Sequence, residues 1–593
     1  MTGPNQTDLS PSEPILAISG LDISFAARPD PVTIVRDAAL TINAGEIHAL
    51  VGESGSGKTM IARAVIGLLP EGMSVSAGTI RFNGQDFTAL DEPARRALRG
   101  AQIGMIFQEP LVSLNPSMKI GAQMAEAVRL HTGKSGAEIR AMAIDMLRAV
   151  RIVDPESCLD RYPHEFSGGM RQRIMIASVM MMRPKLLLAD EPTTALDAIV
   201  QREVLDIMHD MARRFGVSIL LVTHDLGVVA RYADRVTVMC RGDVVESGDT
   251  AQILTAPTQD YTRNLLEALP RPPQGEIAEA PPATPLIEAR DLTIAYEKPA
   301  PLPFFPRRSQ TVVHGMSLAI HPGEMVGLVG ESGSGKSTYG RALIRLKDVS
   351  GGQVFWRGKD ITSLSGEPLR RLRPRMQIVF QDPFSSLNPR LRIRQIVAEG
   401  LRSLTEPAPR ARVDEMLEAV GLGSEFRDRF PHQLSGGQRQ RVAIARALIT
   451  RLELVVADEP VSALDVTVQA QILELLKNLR SHFGFACLFI SHDLSVVESI
   501  CDRVVVMYRG RVMEAGAARQ LFEHPEHPYT RRLLAAAPHL SPSGNGRYTL
   551  IERDETAFPP ADPDCYWPVS GAASPGYRLE IGNLGHAVAR KTP

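Results

Sequence analysis

The chain has 593 residues, more than one hydrophobic core normally supports, so two large domains are expected. Its 44% hydrophobic and 22% charged residues exclude a fibrous or wholly disordered chain. A formal net charge of −1 supplies no overall basic field for nucleic acid, and no run approaches the ~18 apolar residues of a membrane-spanning helix.

The N-terminus, residues 1–14, is polar and lacks the charged-then-apolar order of a secretory leader. EIHALVG at 46–52 is a short apolar run ending in glycine, which predicts a buried strand. GESGSGKT at 52–59 follows it. Glycines at Gly52, Gly55 and Gly57, with Ser54 between them, let the backbone wrap so that N–H groups converge on phosphate oxygens. A helix is expected next, its positive end adding to the cradle. Lys58 can then reach the β and γ phosphates and Thr59 can offer a hydroxyl to Mg²⁺. IFQEPLVSLNP at 106–116 contains Gln108, and 117–165 has the composition of a small separate helical lobe. FSGGMRQR at 166–173 places Ser167, Gly168 and Gly169 at a second anion-binding helix start. An ordinary serine-capped helix is the plainer reading of those residues.

LLLADEP at 186–192 reads as a buried strand that ends in Asp190, where a carboxylate can meet a metal. Glu191 follows, placed to orient or deprotonate an attacking water. SILLVTHDL at 218–226 is a further buried strand, followed by His224. Apolar strands alternating with helical stretches predict an α/β fold with a mostly parallel sheet.

Every one of these motifs returns once, 268–278 residues later and in the same order. The second set comprises GESGSGKS (Gly330, Ser332, Gly333, Gly335, Lys336, Ser337), Gln381, LSGGQRQR (Ser435, Gly436, Gly437), Asp458, Glu459 and His492. A whole domain is duplicated. The expected organisation is a domain at 15–270, a proline-rich linker at 271–285, a domain at 286–540 and an irregular tail at 541–593. Tyr566 and Trp567 are the residues expected to order part of that tail. One departure is visible in the serine–glycine segment: Met170 stands where the second copy has Gln438. Both halves keep glutamate and histidine, so two hydrolytic sites are expected. The cysteines Cys158, Cys240, Cys487, Cys501 and Cys565 form no C-x-x-C pair, which argues against a disulfide framework or a zinc site.

On these residues, 15–540 resembles a pair of ABC-type ATPase domains. The resemblance implies two P-loop NTPase nucleotide-binding domains, each a RecA-like core with a β-subdomain and a helical subdomain. It implies two ATP molecules with Mg²⁺, each shared between the lysine loop of one copy and the serine–glycine helix start of the other. Gln108 and Gln381 match the family's metal- and water-sensing glutamine, and Asp197 and Asp465 its interface aspartate. Phe25 and Tyr296 are candidates to stack on adenine, although they stand 33 and 40 residues before their lysines; either reads equally as a core aromatic.

FQEPLVSLNP and FQDPFSSLNP, with TAPTQDYTRNLLEALP (255–270) and EHPEHPYTRRLLAAAP (523–538), resemble importers of di- and oligopeptides, nickel and glutathione. The two ATPase halves are fused here, as in microcin- and glutathione-type importers. The resemblance implies two membrane permease subunits, an extracytoplasmic solute-binding protein and a place at the cytoplasmic face of the inner membrane. No nucleic-acid partner is expected. Cys565 is the one thiol after the closing segment, too few for an iron–sulfur cluster with four ligands. The alternative is a soluble tandem ABC protein acting on ribosomes; the proline-rich 270–285 stretch, where such proteins carry a charged helical linker, speaks against it.

Overall fold

The computed structural model describes residues 13–25, 31–108, 113–193, 196–272, 284–298, 308–401, 410–450, 452–462, 464–537, 539–542, 548–551, 577–581 and 587–591. Most of the expected linker and of the tail, including Cys565, Tyr566 and Trp567, lies outside them. The chain forms two compact units: unit 1 holds 1–196, 200–268 and 538–551, and unit 2 holds 197–199, 269–537 and 552–593.

In unit 1, β1 (Leu16–Phe25), β2 (Val32–Ile42) and β4 (Met73–Phe82) form an antiparallel sheet, with β5 (Gln85–Asp86) at its edge. The core sheet is built on β3 (Ile47–Gly52), which pairs in parallel with β8 (Ser218–Val222) and β9 (Arg235–Cys240). β7 (Leu186–Asp190) lies between β8 and β6 (Ile103–Ile106), also in parallel. Strands β3, β6, β7 and β8 are buried at every position, because helices cover both faces and no alternation survives. β10 (Asp243–Asp249) closes the sheet antiparallel to β9.

Unit 2 repeats this plan. β11 (Ile287–Lys298), β12 (Arg308–Ile320), β14 (Gly351–Trp356) and β15 (Lys359–Asp360) make the antiparallel sheet. β13 (Met325–Val329) sits between β18 (Ala486–Ile490) and β19 (Arg503–Tyr508). β16 (Met376–Val379) and β17 (Leu454–Asp458) extend it on one side and β20 (Arg511–Ala517) on the other.

The units differ where charge differs. In unit 1 a parallel bridge from Arg36 to Asp243 joins both sheets into one of ten strands, and the Arg36 guanidinium grips Asp243 at 2.6 and 2.8 Å. The corresponding pair in unit 2 is His314 and Arg511, two bases that cannot pair. Burial and Arg511 push the His314 pKa down, but the backbone contact persists, His314 N donating to Gly510 O at 2.9 Å as Arg36 N does to Gly242 O.

The expected helical segments form. Helices α1 (Ile120–His131) and α2 (Gly136–Ala149) share one apolar core with α3 (Gly168–Met180), built from Ile120, Met124, Ile139, Leu147, Ile174 and Ile176. A capping box of Ser135 with Glu138 starts α2, satisfying two otherwise orphaned backbone groups. The tail departs from its irregular reading. β21 (His539–Pro542) and β22 (Tyr548–Ile551) form a hairpin within unit 1. β24 (Ala587–Lys591) adds to β20 of unit 2, with β23 (Tyr577–Ile581) beyond it.

Candidate functional site

In both units the glycine loop lies between the central strand and the helix that Lys58 or Lys336 opens. Gly57 and Gly335 cap these helices in the left-handed region, at φ 99° and 102°. A Cβ at Gly52 would meet the Met239 carbonyl oxygen at 2.1 Å, and at Gly330 that of Met507 at 2.0 Å. Only glycine permits that backbone crossing. Gly55 and Gly333 also take positive φ, at 79° and 77°, and face open space.

The two lysines are 5% exposed and their ammonium groups are held by the loop itself. Lys58 Nζ donates to the carbonyls of Gly52 (2.8 Å) and Glu53 (2.7 Å), and Lys336 Nζ to those of Gly330 (2.7 Å) and Glu331 (2.8 Å). Burial pulls the Lys336 pKa below its usual value, against the pull of Glu459, Asp197 and Asp458.

Thr59 Oγ1 donates to Asp190 Oδ1 at 2.9 Å, and Ser337 Oγ to Asp458 Oδ1 at 2.6 Å. Both carboxylates are 1% exposed. Burial raises the Asp190 pKa despite the Thr59 bond, the mark of a buried anion short of positive charge. Arg341 reaches Asp458 Oδ2 at 3.4 Å. A hydroxyl beside one buried carboxylate fits Mg²⁺, which prefers oxygen ligands and takes most of its shell from water and phosphate. Among the described residues no three His, Cys, Asp or Glu side chains gather as a protein-only cage would require.

Glu191 and Glu459 sit at φ 44° and 49°, strained for a residue with a Cβ. Their backbone N–H groups are anchored at 2.9 Å on the carbonyls of Val222 and Ile490. Each carboxylate meets the same two neighbours. Gln108 Nε2 donates to Glu191 Oε2 and Gln381 Nε2 to Glu459 Oε2, both at 2.8 Å. His224 Nδ1 lies 3.4 Å from Glu191 Oε1 and His492 Nδ1 3.2 Å from Glu459 Oε2. The Glu191 bond raises the His224 pKa. For His492, burial opposes the rise but Glu459 outweighs it.

Ser167 and Ser435 are N-caps, accepting from Met170 N at 3.4 Å and Gln438 N at 3.3 Å. In unit 2 the box is completed, because Gln438 Oε1 accepts from Ser435 N at 3.0 Å. Met170 cannot do this, so that substitution removes one capping bond and leaves the serine–glycine turn in place. The second glycines are sterically required: a Cβ at Gly169 would meet Val200 Cγ1 at 2.3 Å, and at Gly437 Val468 Cγ1 at 2.4 Å. Gly168 and Gly436 have room. Asp465 caps its helix through Val468 N at 3.1 Å, while Asp197, which belongs to unit 2, accepts from Ser332 N at 3.2 Å.

Phe25 and Tyr296 occupy equivalent positions, each nine residues beyond the first paired residue of its strand, Leu16 in β1 and Ile287 in β11. Their unequal distances from the lysines come from the connection to the next strand, since Phe25 pairs with Val32 and Tyr296 with Gln310. Tyr296 is 41% exposed, and the Lys347 ammonium lies 4.2 Å from its ring centre.

Sequence reasoning missed what holds the closing segments. Glu514, fully buried on β20, accepts from Glu526 N at 2.9 Å and His527 N at 3.0 Å. Glu246 on β10 does the same for Thr258 N at 2.7 Å and Gln259 N at 3.3 Å. The two glutamates share the 268-residue offset of the later motifs, which was the available signal. His527 Nδ1 then accepts from Tyr529 N at 3.1 Å, and burial pulls its pKa down to about 4.

A histidine with a depressed folded pKa stabilises fully above its unfolded value of 6.5 and progressively less as pH falls toward 4. An imidazolium, moreover, cannot accept the Tyr529 N–H. Between pH 7 and pH 5 the intact chain should lose about 2 kcal/mol more of unit 2 stability than His527→Gln, which installs the residue found at position 259. Denaturant midpoints at both pH values measure this; parallel losses would refute it.

Two glycine cradles, each beside a hydroxyl–carboxylate pair and a glutamate held by glutamine and histidine, define a tandem P-loop ATPase. The ABC transporter family model matches residues 35–194 and 313–462. The model for the oligopeptide/dipeptide transporter C-terminal region matches 245–292 and 513–565. The chain is 44% identical to the peptidoglycan transport ATP-binding protein YejF of Agrobacterium fabrum, over 89% of this chain and 97% of that one. It is 42% identical to the glutathione import ATP-binding protein GsiA of Salmonella paratyphi A, over 98% and 97%. The archaeal ribosome recycling factor aABCE1, in complex with stalk protein aP1, aligns with a TM-score of 0.57 over 87% of this chain and 93% of that one. At 19% identity that likeness concerns the fold alone. The protein belongs to the ABC transporter family. It is an ATP-hydrolysing subunit of such a transporter, and the transport reading stands over the ribosomal one. Membrane permease partners and peripheral membrane association follow from that membership; among the described residues no helix is long and apolar enough to cross a membrane.

Proposed function

We propose that this chain powers uptake of short peptides or peptide-like solutes such as glutathione. Cargo would be delivered by an extracytoplasmic binding protein to two permease subunits, with this chain at the cytoplasmic face of the inner membrane. One observation carries the reading: both copies end in the peptide-importer closing segment, each tied to its sheet by a buried glutamate. The names of the relatives above point the same way.

At each ATP, the backbone of Gly52, Ser54, Gly55 and Gly57, or of Gly330, Ser332, Gly333 and Gly335, cradles phosphate. Lys58 and Lys336 leave their loop carbonyls for the β and γ oxygens. Thr59, Asp190 and Gln108, or Ser337, Asp458 and Gln381, would hold Mg²⁺, which when bound would neutralise charge developing on those oxygens. Glu191 and Glu459 orient the attacking water, and His224 and His492 hold them in place. Ser167, Gly168 and Gly169, with Ser435, Gly436 and Gly437, present helix starts to nucleotide phosphate, and Phe25 and Tyr296 stack on adenine. The residues named here do not require an iron–sulfur cluster.

Deleting the gene should abolish uptake of labelled glutathione or of a tripeptide set, and the chain should co-purify with two hydrophobic subunits. Unchanged uptake of all of them would overturn the cargo class. Co-sedimentation with ribosomes in place of membranes would overturn the transport role.

A further inference from the structure

The closing segment of unit 2 reaches the ATP loop directly. Tyr529 opens the helix Pro528–Ala536, is 1% exposed, and packs its ring on Tyr508 at 4.5 Å between centroids. Its hydroxyl oxygen accepts from the backbone N–H of Glu331 at 3.2 Å. Glu331 is the second residue of the loop and its carbonyl is one of the two that hold Lys336. A continuous strut therefore runs from Glu514 on the sheet, through the His527 and Tyr529 backbone, to the loop that carries the lysine.

We propose that Tyr529 is a positioning residue for ATP: its hydroxyl fixes the Glu331 peptide and so sets the loop in which Lys336 meets phosphate. Without that acceptor the Glu331 N–H loses the bond that Tyr529 supplies, and the peptide is less firmly held. Rotation would move the Glu331 carbonyl and with it the resting place of the ammonium. Unit 1 supplies an internal comparison. Tyr261 stands at the matching position, and its hydroxyl likewise faces Glu53, the second residue of the unit 1 loop, beside Cys240. Where Tyr508 stacks on Tyr529, unit 1 has the smaller Cys240. The two halves thus differ in the side chain behind the tyrosine, Tyr508 in unit 2 and Cys240 in unit 1.

This inference rests on the reading of the Lys336 loop as a nucleotide site, and the experiment separates the two. In full-length protein carrying Lys58→Ala, so that unit 2 reports alone, fluorescent ATP is titrated with and without Tyr529→Phe. Phenylalanine keeps the ring on Tyr508 and removes only the hydroxyl. Affinity should fall about three- to tenfold, the range for losing one buried hydrogen bond. KM for ATP should rise to match with kcat nearly unchanged, and the melting temperature should hold. Unaltered affinity in Tyr529→Phe, or a fall in melting temperature with unaltered KM, overturns the positioning role and leaves the site intact. Undiminished binding in a Lys58→Ala, Lys336→Ala double variant would instead remove the nucleotide reading beneath it.

Discussion

Glutamine at both 191 and 459 should lower ATP turnover by about two to four orders of magnitude, the usual yield of a positioned general base, while nucleotide still binds. The substitution is isosteric, so the amide can still accept from Gln108 or Gln381, which now hold the carboxylates at 2.8 Å. It cannot take a proton from water, and it weakens the attraction for His224 and His492, whose raised pKa values depend on the glutamates. The backbone should not relax, because the positive φ at both positions is enforced by hydrogen bonds to the neighbouring strand ends. Each single variant should also lose activity, since both copies carry the same constellation. Phosphate release measures turnover, and an equilibrium titration shows that binding survives. If either single change left turnover untouched, the presence of two competent sites would be disproved.

Alanine at Lys58 or Lys336 should weaken ATP binding at that loop on the order of a hundredfold, in the range for deleting one partner of a buried charged contact. The charge is already in place before nucleotide arrives. Each lysine is 5% exposed and its ammonium is bound to two loop carbonyls, so phosphate exchanges one set of acceptors for a better one. Alanine also leaves those carbonyls without their donor, and the loop should loosen. Arginine should not rescue binding, because its planar fork cannot occupy a space shaped around a compact ammonium. Nucleotide titration of the four variants decides the matter; wild-type affinity in either alanine variant would show that the loop is not the phosphate site.

Much of this was legible in the sequence. Gly52 to Thr59 and Gly330 to Ser337 act as contiguous loops, so residue order alone describes their chemistry. Asp190 and Asp458 could be placed because they end apolar runs, and buried parallel strands direct their carboxyl ends toward one edge. The helical lobe was legible in composition, but not which surface its helices cover: α1 and α2 bury their apolar faces against α3. The tail was misjudged as irregular because its strands are four or five residues long and gain order from partners such as β20, far back in the chain.

The sequence by itself determined the duplication, the phosphate cradles and the ABC ATPase plan, because each is written in neighbouring residues whose conformation is locally constrained by glycine, strand and helix start. Only the tertiary structure decided which amide and imidazole hold each glutamate, that Glu246 and Glu514 anchor the closing segments, and that Tyr529 reaches the loop. Those partners lie between 12 and 198 residues apart, and their meeting depends on how sheets and helices pack, which no local pattern encodes.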